Sequence, residues 1–470
     1  ITEDGTGIAT KVKQLLESKG AKADIINGED SLSQYDGLIL LNVSESPVNY
    51  TIKNLFQLLK TTDISQLKWV YTFSDVIGSV LADSGASEIK NIQGFSGLIK
   101  TLAHEYPQTN FRTVKSYTLF DETELPRIII EELSVKEILP EIVYKEGKRF
   151  RFEAKLEDLS ENKNEEGKLP LNEDSVVLVL GGAQGISPEL ISQLAVNVPC
   201  SYILVGRSQQ ITDEEDRYSL METKDEIRKY LITMEGMNVP AEIEKKVQAV
   251  YKSNQIIKAV DKITKAGGKV IYKSVDVKKS KDFKALIKEV KKEYGKIDGV
   301  IHAAGVLEDK LFNKKAWKSF EQVYATKINP LHTLWDELLP DLKFLVLFSS
   351  MSSAFGNIGQ ADYAAANSVF DMISLSMAQK EDVNVKIISF NWGPWKGAGM
   401  VSDALENEFK KKGLSMIPLK EGGEFFVNES IYGQVPAVIA MGGKKTEIEK
   451  FLEVLGMNSA VKSDYTVTNS

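Results

Sequence analysis

Between residues 175 and 391 the chain alternates short, unbroken apolar runs with longer segments of helical periodicity. Residues 175–180, 202–205, 269–274, 299–302, 343–348 and 385–391 read as strands buried on both faces. Alternation of this kind implies a parallel, doubly wound α/β sheet. The first strand runs into Gly181-Gly-Ala-Gln-Gly185, and Ser187-Pro188-Glu189 then reads as an N-cap, a proline at the first helical position and a first-turn acid. The helix therefore begins close to Gly185, and its free N–H groups face whatever lies over the turn. Glycines there let a pyrophosphate approach the backbone. Ser187 stands where a last glycine often sits, so the spacing is a variant of the dinucleotide fingerprint.

The next strand ends in Gly206-Arg207-Ser208. An acid is usual there when the ribose diol is bare, whereas a guanidinium suits a 2′-phosphate. The bland reading is a surface arginine. Asp276, in Val275-Asp-Val277, could accept from an adenine amine, and the small residues of His302-Ala-Ala-Gly305 leave room for a ribose.

Tyr363-Ala-Ala-Ala-Asn367 puts a phenol and an amide on one helical face. That spacing arises by chance in many helices. Here it follows Lys327 and Ser349-Ser350 at the carboxyl ends of strands, where such sheets bind ligands. Reducing a ketone needs hydride at carbon and a proton for oxygen. A phenol of pKa about 10 is a weak acid at neutral pH. Lys327 is expected to lower it, Ser350 to stabilise charge on the carbonyl oxygen, and Asn367 to hold Lys327 or a water. A solvated lysine and a strand-end hydroxyl are the bland alternatives. In this order the residues read as a nicotinamide-dependent carbonyl reductase.

Residues 157–174 are polar and read as a linker. The 156 residues before it look like a worn copy of the catalytic half: Asp36-Gly-Leu-Ile-Leu40 parallels Asp298-Gly-Val-Ile-His302, and residues 67–74 parallel 342–349. Asp75 stands where Ser350 stands, and neither a glycine turn nor Tyr-x-x-x-Asn follows. This half is expected to be structural. Chance similarity between two α/β units is the alternative, because buried strands look alike. Residues 209–252 interrupt the second half, carry many charges and show helical periodicity. They read as an inserted helical hairpin, by default a solvated decoration, with an assembly surface as the alternative.

With Cys200 as the only cysteine, no internal disulfide forms, and a reducing, cytoplasmic setting is expected. Three separated histidines suggest no metal site, and a net charge of −8 argues against nucleic acid as the main partner. No apolar run is long enough to span a membrane. The polar start, Ile1-Thr-Glu-Asp, shows no signal peptide, and the absence of an initiator methionine fits either an excised piece of a larger polypeptide or processing.

Together, Leu180-Gly-Gly-Ala-Gln-Gly-Ile186, Gly206-Arg-Ser208, His302-Ala-Ala-Gly-Val306, Phe348-Ser-Ser350, Tyr363-Ala-Ala-Ala-Asn367 and Asn391-Trp-Gly-Pro-Trp395 resemble the ketoreductase domains of modular polyketide synthases, a branch of the short-chain dehydrogenases. The resemblance covers nearly the whole chain. It implies two Rossmann-like halves: a truncated structural half at 1–156, then the 157–174 linker, a catalytic half at 175–455, and a tail at 456–470. It implies NADPH held by Gly181, Gln184, Gly185, Ile186, Arg207, Ser208, Asp276, Val277, Ala303, Ala304, Gly305, Lys327, Tyr363 and Pro394. The substrate implied is a β-ketoacyl thioester on an acyl carrier protein within a larger synthase. Tyr363, Ser350, Lys327 and Asn367 would be catalytic, with Asp309, Phe355, Gln360, Trp395 and Met400 beside the substrate. Leu307-Glu308-Asp309 matches the last acid of a Leu-Asp-Asp pattern that accompanies a D-hydroxyl product, with the middle acid altered. An alternative role for Asp309 is capping a helix near Phe312. Leu180, Ser187 and the insertion depart from the commoner synthases and suggest the branch whose acyltransferases act in trans. Acidic carriers imply a basic docking patch, either Lys310, Lys314, Lys315 and Lys318 or Lys410, Lys411 and Lys412. A freestanding reductase and a non-catalytic dinucleotide-binding scaffold are the competing readings.

Overall fold

The computed structural model describes residues 1–43, 46–75, 92–116, 123–137, 139–156, 167–211, 221–378, 384–397, 414–455 and 468–469, with Ile89, Phe120 and Tyr218 between them. The centre of the expected linker, the charged start of the insertion, Met400 and the lysines at 410–412 lie outside the described residues.

Among the described residues the strands form two sheets. The first contains β1 (Gly37–Asn42), β2 (Trp69–Ser74), β3 (Asn110–Ser116), β4 (Glu141–Lys145) and β5 (Lys148–Arg151), in chain order. β1 to β4 run parallel, and β5 turns back antiparallel to β4. The second sheet contains β6 (Val176–Leu180), β7 (Ser201–Gly206), β8 (Lys269–Ser274), β9 (Gly299–His302), β10 (Phe344–Ser350), β11 (Lys386–Trp392) and β12 (Ala437–Ala440). Its spatial order is β12-β11-β10-β9-β6-β7-β8, parallel throughout. The chain reverses direction across the sheet between β6 and β9, which opens a crevice at their carboxyl ends. β13 (Thr468–Asn469) pairs with β5, so part of the expected tail adds to the first sheet.

Helices α1 (Ile8–Ser18), α2 (Ile52–Leu59), α3 (Phe95–Glu105) and α4 (Glu124–Ser134) belong to the first half. In the second half, α5 (Ser187–Asn197) follows the glycine turn, and α6 (Lys224–Thr233) and α7 (Pro240–Lys265) carry the insertion. They are followed by α8 (Ser280–Tyr294), α9 (Trp317–Glu337), the short α10 (Met351–Phe355) and α11 (Ala361–Met377). α12 (Leu419–Tyr432) and α13 (Lys445–Val454) complete the chain. The insertion forms a hairpin with its own small core of Tyr218, Ile227, Leu231, Ile243, Val247 and Val250. Its second helix does not stop at 252 but runs unbroken into the helix that crosses back to β8.

α3 and α11 occupy equivalent places in the two halves, between β2 and β3 and between β10 and β11. They pack backbone against backbone. A Cβ on Gly97 would fall 2.0 Å from the Ala364 carbonyl oxygen, and one on Gly94 2.1 Å from that of Ala365. Both helices are buried nearly all round, as expected for elements inside an interface. Beneath them, Glu141 of β4 pairs with Lys100 at 2.5 Å and with Lys115, and Lys100 reaches across to donate to the Ser353 carbonyl at 2.9 Å.

Candidate active site

One cavity of about 2030 Å³ opens at the carboxyl ends of the second sheet. Its floor begins at the glycine turn. Gly181 has φ of +77° and a Cβ there would press on the Ala303–Ala304 backbone, so only glycine fits. Gly185 has φ of +64°, and nothing lies within 4 Å of where its Cβ would be. The turn thus leaves bare backbone facing open space at the start of α5. Ser187 does not cap that helix: Ile186 is the N-cap residue, no side chain bonds to the first turn, and Ser187 lies inside the helix beside Pro188. Glu189 instead pairs with Lys262 of α7 and accepts from Gln193 at 2.7 Å.

Gly181, Gln184, Gly185, Ile186, Arg207, Ser208, Asp276, Val277, Ala303, Ala304, Gly305, Lys327, Tyr363 and Pro394 all line the cavity, as do Ser350, Phe355, Gln360 and Trp395. Asn367 lies just behind, fully buried. Asp309 is exposed and joins the wall through Gln360, whose amide donates to its carboxylate at 3.0 Å. It does not cap the turn at Phe312–Lys314.

At the centre, Lys327 projects from α9 and donates to the Phe348 carbonyl at 2.7 Å, 5.5 Å from the centre of the Tyr363 ring. A Cβ at Gly305 would lie in ordinary contact with both, 3.4 Å from Lys327 and 3.9 Å from Tyr363. His302 Nε2 donates to the Lys327 carbonyl at 2.9 Å. Burial, with Lys327 nearby, holds His302 down at about 3, so the ring is neutral. Ser350 ends β10, and its oxygen accepts from the Ser352 N–H at 3.2 Å. That bond uses a lone pair and leaves the hydroxyl proton free to donate.

Burial pushes Tyr363 up to about 12, with Asn367 opposing the rise and the Asp309 carboxylate adding to it. Burial also pulls Lys327 down to about 7, against the opposing pull of Asp371. Asn367 does not hold Lys327: its amide donates to the Tyr363 carbonyl at 2.9 Å, and its Oδ1 is buried without a partner. The basic patch is also smaller than expected, because Lys315 is fully buried, bonded to Asp362 at 2.6 Å and to the Glu308 carbonyl at 2.8 Å.

Sequence reasoning missed two contributors. Lys224, Gln248, Tyr251 and Lys252 of the insertion line the same cavity as Arg207, so the hairpin is more than a solvated decoration. The second is Asp371, which accepts from Ser389 at 2.6 Å, from Asn391 at 2.9 Å and from Ser353. Asp371 lies two turns beyond Tyr363, and that spacing was the available signal. Among the described residues there is no metal-binding cluster, and no helix is long and apolar enough to cross a membrane.

The KR-domain family model matches residues 175–397, the stretch that holds the glycine turn and all four candidate catalytic residues. Residues 175–397 thus resemble the KR domains of this family. The chain is 35% identical over 292 residues to a component of the polyunsaturated fatty acid synthase of Thraustochytrium sp., covering 60% of this chain and 10% of that protein. It is 27% identical over 373 residues to polyketide synthase PksL of Bacillus subtilis, covering 78% of this chain and 7% of that protein. The chain thus spans a tenth or less of either relative. Its fold matches that of a ketoreductase domain from the bacillaene assembly line, with TM-score 0.67 and 22% identity over 96% of this chain and 93% of the other. An N-terminal ketoreductase from the macrolactin assembly line matches with TM-score 0.61 and 19% identity, over 95% and 79%.

Proposed function

We propose that this ketoreductase uses NADPH to reduce the keto group of a β-ketoacyl thioester carried on an acyl carrier protein, and that it leaves a D-hydroxyl during polyketide-type chain elongation. The observation that carries this reading is the convergence of Lys327, Ser350 and Tyr363 on the cavity that also holds the glycine turn and Arg207. In this reading residues 1–156 are structural, 157–174 form a linker and 175–455 hold the chemistry within a larger synthase.

The residues suit NADPH. Gly185 leaves open space for the pyrophosphate, and Arg207 with Lys224 and Lys252 brings positive charge to the 2′-phosphate end. When bound, the nicotinamide supplies the hydride. Ser350 donates its free proton to the substrate carbonyl and fixes its orientation. Tyr363, neutral in its buried setting, donates the proton that completes the hydroxyl. Lys327 holds positive charge beside the ring as the phenolate forms. The unpartnered Asn367 Oδ1 suits a water that returns the proton.

Asp309 and Gln360 flank the side from which the pantetheine arm arrives, and the side of arrival decides which carbonyl face is reduced. The exposed Lys310, Lys314 and Lys318 offer an acidic carrier a docking patch. The test is NADPH consumption with a β-ketoacyl thioester, carrier-bound and free, with chiral analysis of the product. Faster turnover of the carrier-bound form and a D product are expected. No turnover of either form would favour a scaffold, equal turnover a freestanding reductase, and an L product would sink the stereochemical assignment.

A further inference from the structure

The first half bears no catalytic residue, yet it grips both loops that border the substrate side of the cavity. Glu105, the last residue of α3, is the centre of that grip. Its Oε2 accepts from the Phe312 N–H at 2.7 Å, and its Oε1 accepts from the Gly359 N–H at 2.9 Å. The Phe312 loop carries Asp309, and the Gly359 loop carries Gln360. One carboxylate therefore joins the two strips of backbone whose side chains meet in the Asp309–Gln360 hydrogen bond. The Lys310 N–H donates to the Gly359 carbonyl at 2.9 Å and closes the same ring. Lys60, also of the first half, donates to the Phe312 carbonyl at 2.7 Å, so both faces of that residue's backbone are held.

Charge-assisted bonds to backbone N–H groups are short and directional. A carboxylate with both oxygens engaged fixes the spacing of its two donors. Without it, both N–H groups lose their partner, and the loops stay tied by the Lys310–Gly359 backbone bond, the Asp309–Gln360 bond and the buried Lys315–Asp362 pair, none of which fixes the Phe312 and Gly359 backbone together. Asp309 and Gln360 then lose their fixed separation at the place where the pantetheine arm arrives. No atom of Glu105 needs to touch substrate for this to matter.

We propose that Glu105 is a positioning residue for stereochemical choice: it clamps the Asp309 and Gln360 loops so that substrate arrives from one side only. This rests on the proposed role of Asp309 and Gln360 in guiding the substrate. It assigns the first half a part in product configuration.

The test compares wild type, Glu105→Ala, Glu105→Gln and Asp309→Ala with NADPH and a free, unbranched β-ketoacyl pantetheine thioester, reading the enantiomeric ratio, the KM for each substrate and the melting temperature. Glu105→Ala is expected to lower the enantiomeric ratio tenfold or more and to raise the thioester KM, with the NADPH KM unchanged. Glu105→Gln fills the same space but turns an NH2 toward one of the two N–H donors. It keeps one bond, and an intermediate ratio is expected. If Glu105→Ala proves poorly folded, the glutamine variant carries the test. A wild-type ratio in a folded Glu105 variant, while Asp309→Ala loses selectivity, overturns the role of Glu105 and leaves the guiding role of Asp309 standing. A wild-type ratio in Asp309→Ala overturns both.

Discussion

Lys327 donates to the carbonyl of Phe348, two residues before Ser350, so the ammonium is fixed relative to the strand that ends in the candidate hydroxyl. Burial favours its neutral form, and the carboxylate of Asp371 opposes that. Asp371→Asn removes the opposing charge and should lower the lysine further. The alkaline fall in kcat should then move to lower pH, by roughly half to one unit. A pH–rate profile superimposable on wild type would remove Asp371 from this role.

Tyr363→Phe keeps the ring against Lys327 and deletes the proton donor. Turnover should fall by about 10²- to 10⁴-fold, while NADPH binding, read by fluorescence titration, is retained. Ser350→Ala removes one donor to the carbonyl oxygen and should cost on the order of 10²-fold. Near-normal turnover in Tyr363→Phe would exclude it as the acid.

Arg207→Ala should weaken NADPH by roughly 1.5–3 kcal/mol and leave NADH nearly unchanged. Lys252→Ala should act in the same direction to a smaller extent, because it is exposed at the cavity rim. Separate KM values for the two nucleotides decide it; an unchanged ratio in Arg207→Ala refutes the assignment.

Glu141 is buried between Lys100 and Lys115. Burial alone would raise its carboxyl, but the two ammonium groups and their hydrogen bonds hold it at about 2. A folded-state value below the unfolded one stabilises the protein above the unfolded pKa, and this is lost as pH falls through the folded one. Glu141→Gln should cost about 3–5 kcal/mol at pH 7. The gap to wild type should shrink as pH drops from about 4.5 toward 2. Denaturant melts at pH 7 and pH 3 measure it, and an equal gap at both would contradict the ionised pairing.

The parallel sheet was legible because strands buried on both faces leave continuous apolar runs, and all six expected runs of the second half are strands. Four motifs at strand ends made the cavity legible as well. What failed was what depends on distant partners. Lys315 sits in a lysine-rich run that reads as solvated, but Asp362, 47 residues on, neutralises it inside the protein. Glu105 leaves no local pattern, since its partners are 207 and 254 residues away. Ser187 has a capping residue's chemistry, yet the helix starts at it rather than after it. The insertion's charges hid a helix that continues into the sheet crossover and turns one side to the cavity.

The contact of Gly94 and Gly97 with the Ala364–Ala365 backbone has a consequence for how the enzyme behaves on dilution. The helix that carries Tyr363 is braced by a helix of the same polypeptide, and the two are tethered by the intervening chain. Their effective concentration is set by the length of that chain and not by the amount of enzyme in the tube. Specific activity should therefore stay constant from micromolar to nanomolar enzyme, whatever assemblies the protein forms.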